Sequence, residues 1–201
     1  MVDLAIWILI AFGVLAGIVR PAIQLIRTGR TGLILLPRGV GPVGWVSSIL
    51  LTAGSALVVV SVIRVKRGSL HRIGALDVGV LHGLGIVLAV LGVLLVFLAQ
   101  LRMGDSWRFG VNEAERTELV TGGWFSVVRN PIYAGIFAAI AGFALMVPTW
   151  LGFLGVGVLA VGLEVLVRAV EEPYLVRSHG DEYRSYASRV GRFLPGIGRL
   201  T

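Results

Sequence analysis

Long apolar runs, separated by short basic segments, dominate the chain. Five of them are long enough, or nearly so, to cross about 30 Å of hydrocarbon as a helix, which takes about 20 residues. These runs are Leu4–Val19, Val43–Ile63, Leu76–Leu101, Ile132–Val147 and Thr149–Val167. The first has no positive n-region, so we expect a retained helix rather than a cleaved signal peptide. The pattern predicts an all-α, polytopic membrane helix bundle with about five transmembrane helices.

Composition agrees with a membrane protein. The 201 residues are 56% hydrophobic and only 14% charged, and the mean hydropathy is +0.90. We treat 1–201 as a single integral membrane domain, with a three-helix N-terminal half (1–101) and a second half of loop, helical hairpin and tail (102–201). The chain has no cysteine, and His71 and His82 are isolated, so we predict no metal site. His82 is expected to be a satisfied or pore-facing polar residue.

The basic residues predict an orientation. With five spans, the segments after the first and third spans and the tail share one side of the membrane. They carry four, four and six basic residues, which is fourteen of the 18 Lys and Arg. We therefore expect these segments in the cytoplasm, in a multi-pass protein of the cell inner membrane. The net charge of +7 is explained by topology and lipid headgroups, and we predict no nucleic-acid binding because few polar residues are available to read bases.

The stretch TGGWFSVVRNPIYAG carries the first candidate chemistry. Thr121, Gly122 and Gly123 form a turn whose glycines let the backbone approach a ligand closely. Pro131 fits the first turn of a helix, where free N–H groups stabilise an anion. Arg129 and Asn130 precede it. They are either a headgroup anchor and a helix cap, or donors to an anionic ligand.

A second polar stretch follows the last span. Glu164, Arg168 and Glu171 lie at i, i+4 and i+7, on one helix face, with Glu172 off to the side. The set is either an ion-paired stripe that holds the helix, or a site where Glu171 and Glu172 accept hydrogen bonds from an ammonium group. Anion donors on one segment and carboxylates on the other suit a zwitterion such as an amino acid head group.

Beyond Pro173 and a break at Gly180, an aromatic stripe predicts a short amphipathic helix. Tyr183, Tyr186 and Val190 recur at i, i+3 and i+7. This cytoplasmic helix either packs on the membrane surface or closes over the ligand, and the two interpretations are compatible.

Two further motifs are weak. Gly13 and Gly17 form a G-x-x-x-G pattern, which predicts helix packing with a high false-positive rate. The stretch GDSWRFG, Gly104–Gly110, offers an Asp105–Arg108 pair and Trp107 as an interfacial anchor. We assign it no chemical role.

The ordered set LVTGGWFSVVRNPIYAG, then EEPYLVRSHGDEYRSYASRVGRFLP, resembles the C-terminal half of the isoprenylcysteine carboxyl methyltransferase family, over about Leu119–Pro195. Phospholipid N-methyltransferases are similar in parts of the pattern. The resemblance implies an integral membrane enzyme that uses S-adenosylmethionine. It implies that the cofactor site is lined by Thr121, Gly122, Gly123, Arg129, Asn130, Pro131, Tyr133, Glu171, Glu172, Tyr183 and Tyr186, with Arg192 and Pro195 closing it.

The expected reaction is methyl transfer to a carboxylate, thiol or amine of a lipophilic or lipid-linked acceptor from the bilayer. Arg129 or Arg192 is the candidate catalytic residue that orients an anionic acceptor. Asn130 stands where the methyltransferases of prenylated proteins typically have His, which leaves the acceptor open. The alternatives are an NADPH-dependent membrane reductase of the sterol-reductase type, which Ile132 after Pro131 disfavours, and a non-catalytic relative.

Overall fold

The computed structural model describes residues 1–29, 31, 41–104 and 119–200. This part of the chain contains six principal helices: α1 (Val2–Thr28), α2 (Gly41–Lys66), α3 (Gly79–Arg102), α4 (Pro131–Met146), α5 (Trp150–Leu166) and α6 (Glu172–Arg189). A π-helical turn, Val167–Glu171, connects α5 directly to α6. Four continuous helical segments are long and apolar enough to cross a membrane, and α4 is a shorter apolar helix. The predicted all-α membrane bundle and its five apolar helices are confirmed.

The first helix extends further than its apolar run. It continues past Val19 to Thr28, through a π-helical turn, Leu15–Val19. Arg20 is buried there because it serves the carbonyl end of α3: its Nε donates to Gln100 O at 3.2 Å and its Nη2 to Gly104 O at 2.7 Å. A cation at a helix C-terminus satisfies orphan carbonyls. The helix is therefore nine residues longer at its C-terminal end than the apolar run, which stops at Val19.

Glycines bring the transmembrane helices into backbone contact. A Cβ placed on Gly92 of α3 would lie 2.5 Å from Ala139 N of α4. The same holds for Gly54 of α2, where a Cβ would lie 2.6 Å from Leu159 N of α5. Close packing through small residues drives helix association where no hydrophobic effect operates between helices. The bundle is thus two tightly packed pairs, α3 with α4 and α2 with α5.

The two glycines that the sequence singled out are not part of this packing. A Cβ on Gly13 or Gly17 would meet no other described atom within 4 Å. The G-x-x-x-G pattern in α1 therefore marks no contact within the described chain.

A tight turn joins α4 and α5, as predicted. Thr149 Oγ1 accepts a hydrogen bond from Gly152 N at 2.9 Å and so caps α5. Pro148 O accepts from Ile73 N at 2.8 Å, which attaches the turn to the segment between α2 and α3. The hairpin consequently places the start of α4 and the end of α5 at the same end of the bundle.

Ion pairs mark the opposite end of the bundle. Lys66, the last residue of α2, pairs with Asp3 near the N-terminus. Asp77, between α2 and α3, accepts from Arg72 at 2.7 Å and lies 2.9 Å from His82 Nε2. The C-terminal ends of α1 and α3 and the residues after α6 therefore lie at one end of the bundle, in agreement with the parity argued from the sequence.

Candidate functional site

The chain after α6 folds back on itself; we call residues 190–200 the tail strap. Arg192 N donates to Ile197 O at 2.7 Å, and Leu200 N returns to Ala187 O of α6 at 3.0 Å. Glycine is required at position 191, because a Cβ there would lie 2.0 Å from Leu194 O. The fold of the strap turns several backbone carbonyls toward the start of α4.

The segment before α4 pairs with the tail strap through its backbone. Arg129 N donates to Gly191 O at 2.8 Å, and Asn130 N donates to Arg192 O at 3.1 Å. The Asn130 side chain also donates to Arg192 O, at 3.2 Å. Asn130 is the N-cap residue of α4 but its side chain makes no capping hydrogen bond. The Asn130 amide is instead hydrogen-bonded to Arg192 O of the strap. Asn130 therefore occupies the N-cap position, as the sequence suggested, but its side chain does not cap the helix.

Two arginines bind one buried carboxylate. Arg129 Nη2 donates to Glu172 Oε1 at 2.5 Å. Arg192 forms a two-pronged pair with the same carboxylate, Nε to Oε1 at 2.8 Å and Nη2 to Oε2 at 2.9 Å. The side chain of Arg129 is only 1% exposed, and that of Glu172 is 8% exposed. We call Arg129, Glu172 and Arg192 the buried triad. Its net charge is +1, and the hydrogen bonds that Arg192 donates to Glu172 raise the pKa of Arg192 above its ordinary value.

Arg129 uses its remaining Nη protons on α6 and the tail strap, whereas its buried Nε has no hydrogen-bond partner among the described residues. Its Nη1 donates to Ala187 O at 2.7 Å and to Val190 O at 2.8 Å. Its Nη2 also donates to Gly198 O, at 3.0 Å. A guanidinium carries two protons on each Nη, so all four are engaged with the protein. In this structure Arg129 therefore fastens α6 and the tail strap to the start of α4.

The neighbouring carboxylate has a different environment. Tyr133, in the first turn of α4, donates its hydroxyl to Glu171 Oε1. Among the described residues, none hydrogen-bonds Glu171 Oε2. Glu171 is half-buried, whereas Glu172 is buried. Adjacent carboxylates thus differ, one neutralised by two cations and one held by a single neutral hydroxyl.

A π-helical turn explains why the 3.6-residue period of the sequence pattern did not predict the position of Glu172. Spacing at i, i+4 and i+7 assumes 3.6 residues per turn, and the turn Val167–Glu171 breaks that period. Arg168 does pair with Glu164, Nε to Oε2 at 2.5 Å, as expected. Glu172, placed off to the side by the sequence pattern, instead lies at the centre of the buried triad. The π turn also lets the helix continue through Pro173.

The aromatic stripe of α6 packs on protein. Tyr183 and Tyr186 are buried with their rings edge to face, and Tyr186 donates its hydroxyl to Phe125 O at 2.5 Å. Val190 and Leu200 pack against them. Gly180 has φ of +56° inside α6, which confirms the predicted break. The stripe therefore attaches the kinked end of α6 to the segment that carries the glycine turn.

The glycine turn borders a cation that the sequence analysis missed. Gly123 adopts φ of +65°, and a Cβ there would meet Arg102 Nε at 3.1 Å. A Cβ on Gly122 would meet Arg102 Nη2 at 3.0 Å. Thr121 is exposed. The signal for Arg102 was its position at the end of an apolar run, where it was counted only as a topology charge.

The structure joins six of the thirteen sequence-predicted site residues to one another by direct contacts. The residues joined by direct hydrogen bonds or ion pairs are Arg129, Asn130, Tyr133, Glu171, Glu172 and Arg192. Pro131 is buried at the start of α4, and Pro195 is exposed on the tail strap. Asp105, Trp107 and Arg108 lie outside the described residues.

Comparisons with known proteins agree with this architecture. The family model described as phospholipid methyltransferase matches residues 80–182. Among solved structures, the eukaryotic intramembrane Ras methyltransferase, an isoprenylcysteine carboxyl methyltransferase, is similar with a TM-score of 0.60 and 20% sequence identity. The match covers 98% of this chain and 69% of that one, and at this identity it shows a shared fold. No curated protein matches by sequence.

Proposed function

The chain belongs to the phospholipid methyltransferase family, whose model covers about half of it, and from this premise we propose that it transfers a methyl group from S-adenosylmethionine to a lipophilic acceptor. Methyltransferase families of this type generally use that cofactor. The family and the apolar helices make the chain a multi-pass membrane methyltransferase. A nicotinamide-dependent reductase is not favoured.

The observation that carries the cofactor proposal is the unequal treatment of the two adjacent carboxylates. Glu172 is neutralised by Arg129 and Arg192 and has little capacity for a further cation. Glu171 has one hydroxyl partner, Tyr133. A half-buried carboxylate with a free oxygen attracts an ammonium group. Glu171 is therefore our candidate for the amino group of S-adenosylmethionine, with Tyr133 orienting it.

The start of α4 supplies the complementary donors. The first turn of this 16-residue helix has backbone N–H groups without intrahelical partners, and Pro131 at its first position has none to lose. The positive end of the helix stabilises an anion such as the cofactor's carboxylate. Tyr133 lies in the same turn, so the anion donors and the Glu171 carboxylate are close together, as a zwitterion requires.

Arg129 and Glu172 have positioning roles in this proposal. The Nη protons of Arg129 are engaged with α6 and the tail strap, so Arg129 would hold the pocket wall rather than bind a ligand. Arg192 differs, because its Nη1 has Glu164 Oε2 only at 4.0 Å. Of the two arginines first considered for orienting an acceptor, Arg192 is the better candidate. Thr121, Gly122 and Gly123 would form the outer wall, where backbone approaches closely.

When bound, S-adenosylmethionine would supply an activated methyl group on a sulfonium, whose transfer to a lone pair of the acceptor would break the C–S bond and release a thioether. Such a transfer depends on alignment, and positioning alone supplies about 7–11 kcal/mol of barrier lowering. The buried triad, the tail strap and the Tyr133–Glu171 pair are all positioning devices. Their rigidity, rather than a proton relay, is what this chain contributes.

The proposed site faces the cytoplasm. It lies at the end of the bundle where the first and third apolar runs end and where the tail begins; the segments that follow these two runs, with the tail, carry fourteen of the 18 basic residues. Cytoplasmic loops carry the excess of Lys and Arg. S-adenosylmethionine is thus expected to reach the site from the cytoplasm of a cell whose inner membrane holds the protein, and the acceptor from the bilayer.

Calorimetry of the detergent-purified protein tests the proposal. We expect saturable S-adenosylmethionine binding by the wild type and about tenfold weaker binding by Glu171→Gln, which loses one charge-assisted hydrogen bond. Arg184→Gln, which removes an exposed pair with Asp181, is the matched control and should bind as the wild type does. Absence of wild-type binding would overturn the proposal.

Two further arms address the alternatives. Binding of NADPH in place of S-adenosylmethionine would favour the reductase. Cofactor binding without radiolabelled methyl transfer into a fractionated membrane extract would indicate a non-catalytic relative.

A further inference from the structure

Two large apolar side chains on the tail strap are exposed. Leu194 is 58% exposed and Ile197 is 63% exposed. They flank a tight turn, in which Ile197 N donates to Leu194 O at 3.1 Å and Gly196 adopts φ of +74°. Pro195 and Gly196 at its centre fit a type II turn, which holds the backbone in one conformation. We call Leu194–Ile197 the strap turn.

The segment that pairs with the tail strap exposes apolar side chains as well. Trp124 is 46% exposed and Val127 is 50% exposed. The next residue, Val128, bridges to Gly191 of the strap. Tryptophan is enriched at membrane interfaces. Exposed apolar side chains gathered on two paired segments indicate an interaction surface, whereas single scattered ones do not.

The strap turn begins beside the transmembrane bundle. Phe193, the residue directly before it, packs against the buried core that the transmembrane helices form. Arg192 lies 4.0 Å from Glu164, near the end of α5. One residue of extended chain spans at most about 3.6 Å. Leu194 is therefore close to the level at which the apolar part of the bundle ends.

The charge of this surface suits a layer of lipid headgroups. Residues 119–130 and 190–200 contain no Asp or Glu, and every charged residue in them is an arginine. Arg199 is exposed, and a Cβ on Gly196 would lie 3.4 Å from its Nη2. A guanidinium beside an apolar turn can lie among lipid phosphates while the apolar side chains reach the acyl region.

We propose that the strap turn inserts into the membrane leaflet at its own end of the bundle and anchors the tail to the bilayer. Leu194 and Ile197 enter the boundary between headgroups and acyl chains, and Arg199 donates to lipid phosphates. The sequence offered Tyr183 and Tyr186 for membrane contact, but both are buried against protein. The bilayer thus supports the tail together with α6 and the start of α4. This inference requires a membrane protein but no cofactor, so it is independent of the proposed function.

Spin labelling measures the depth of the strap turn directly. The chain has no cysteine, so Leu194→Cys and Ile197→Cys each give a single labelling site in the full-length protein. Ser185→Cys, at an exposed position of α6, is the water-exposed control. Leu154→Cys, at a position 57% exposed on α5, is the lipid-exposed control. Paramagnetic resonance in nanodiscs of phosphatidylcholine and phosphatidylglycerol would compare collisions with oxygen, which concentrates in hydrocarbon, and with a nickel chelate, which stays in water.

Both labels on the strap turn should collide with the nickel chelate about fivefold less often than the Ser185 label does. Their collisions with oxygen should approach those of the Leu154 label. If either label on the turn is as accessible to the chelate as the Ser185 label, insertion is overturned.

Hydrogen–deuterium exchange in the same nanodiscs tests whether insertion holds the tail. Leu194→Ser with Ile197→Ser removes the apolar anchor and spares the backbone hydrogen bonds of the strap. Exchange of the strap amides should accelerate about tenfold in this variant and about fivefold in Arg199→Gln. Leu154→Ser, the matched control, replaces an equally exposed apolar side chain on α5 and should leave strap exchange within twofold of the wild type.

The outcomes separate this inference from the proposed function. Strap exchange within twofold of the wild type in the double-serine variant would overturn the anchoring, even if S-adenosylmethionine binds. Unchanged exchange in Arg199→Gln would overturn the phosphate contact. Absence of S-adenosylmethionine binding, with both labels inserted and both effects on exchange observed, would reject the proposed function and support the membrane anchor.

Discussion

Replacing Arg129 by Met should detach the tail strap without unfolding the bundle. Arg129 supplies three strap and α6 carbonyls with donors, Ala187 O, Val190 O and Gly198 O. Methionine keeps the apolar stem and removes all of these bonds. Glu172 retains both hydrogen bonds from Arg192, so no bare carboxylate remains in the interior. The loss is therefore confined to the junction between tail and α4.

The magnitude follows from the bonds. A net contribution of about 1 kcal/mol for each of three carbonyl hydrogen bonds gives about 3 kcal/mol for local opening. Since 1.4 kcal/mol corresponds to a factor of ten, exchange of strap amides should accelerate about 100-fold. The reporters are the amides of Arg192, Ile197 and Leu200, each hydrogen-bonded to another backbone carbonyl in the native strap or α6.

Hydrogen–deuterium exchange with mass spectrometry, in detergent micelles, would measure this effect peptide by peptide. Arg184→Met, which removes an exposed ion pair with Asp181 on α6, should leave the exchange rates of the strap amides within twofold of the wild type. Peptides from α3 and α4 should be unchanged in both variants. If strap exchange in Arg129→Met stays within threefold of the wild type, the assignment of Arg129 as the fastener of the tail is wrong.

Two more predictions address packing and the cofactor. Gly92→Ala should lower the free energy of unfolding of the detergent-solubilised protein by about 1–3 kcal/mol, because its Cβ would lie 2.5 Å from Ala139 N. On the same helix, the Cβ of Gly83→Ala would meet nothing within 4 Å, so this control should be neutral or slightly stabilising. Equal melting temperatures for the two variants would refute the packing argument. Tyr133→Phe removes the hydroxyl that orients Glu171 and should weaken S-adenosylmethionine binding about fivefold in calorimetry, with an unchanged melting curve; unaltered affinity would exclude this role.

The sequence predicts the parts of this structure that depend on hydropathy. Spans near 20 residues are required by the bilayer, so all five apolar helices were recognisable. The hairpin followed from Pro148 and Thr149, and with it the meeting of the two polar segments. The burial of Arg20 was not predicted. A guanidinium can be buried when helix carbonyls accept its hydrogen bonds, and composition alone does not reveal those acceptors.

Details of the site depended on local backbone geometry that periodicity does not encode. A π-helical turn changes which side chains share a face, so Glu171 and Glu172 could not be ranked from spacing. The glycine pattern also failed to predict the packing. Gly13 and Gly17 have the G-x-x-x-G spacing without a neighbour, whereas Gly92 lies against the backbone of α4. Contacts from Arg129 to backbone carbonyls are invisible in sequence, because any residue supplies a carbonyl.

The buried triad is better explained by geometry than by stability. Removing two guanidinium groups and a carboxylate from water is unfavourable, and apolar side chains of similar volume often stabilise an interior equally well. Directional hydrogen bonds, unlike apolar packing, fix the register of the strap against the start of α4. Arg129 N donates to Gly191 O and Asn130 N donates to Arg192 O, and both bonds form only in one alignment. That alignment sets Arg192 between Glu172 and Glu164. In the proposed site, a methyl transfer that depends on positioning would use a wall of this kind, built from segments more than 60 residues apart in sequence.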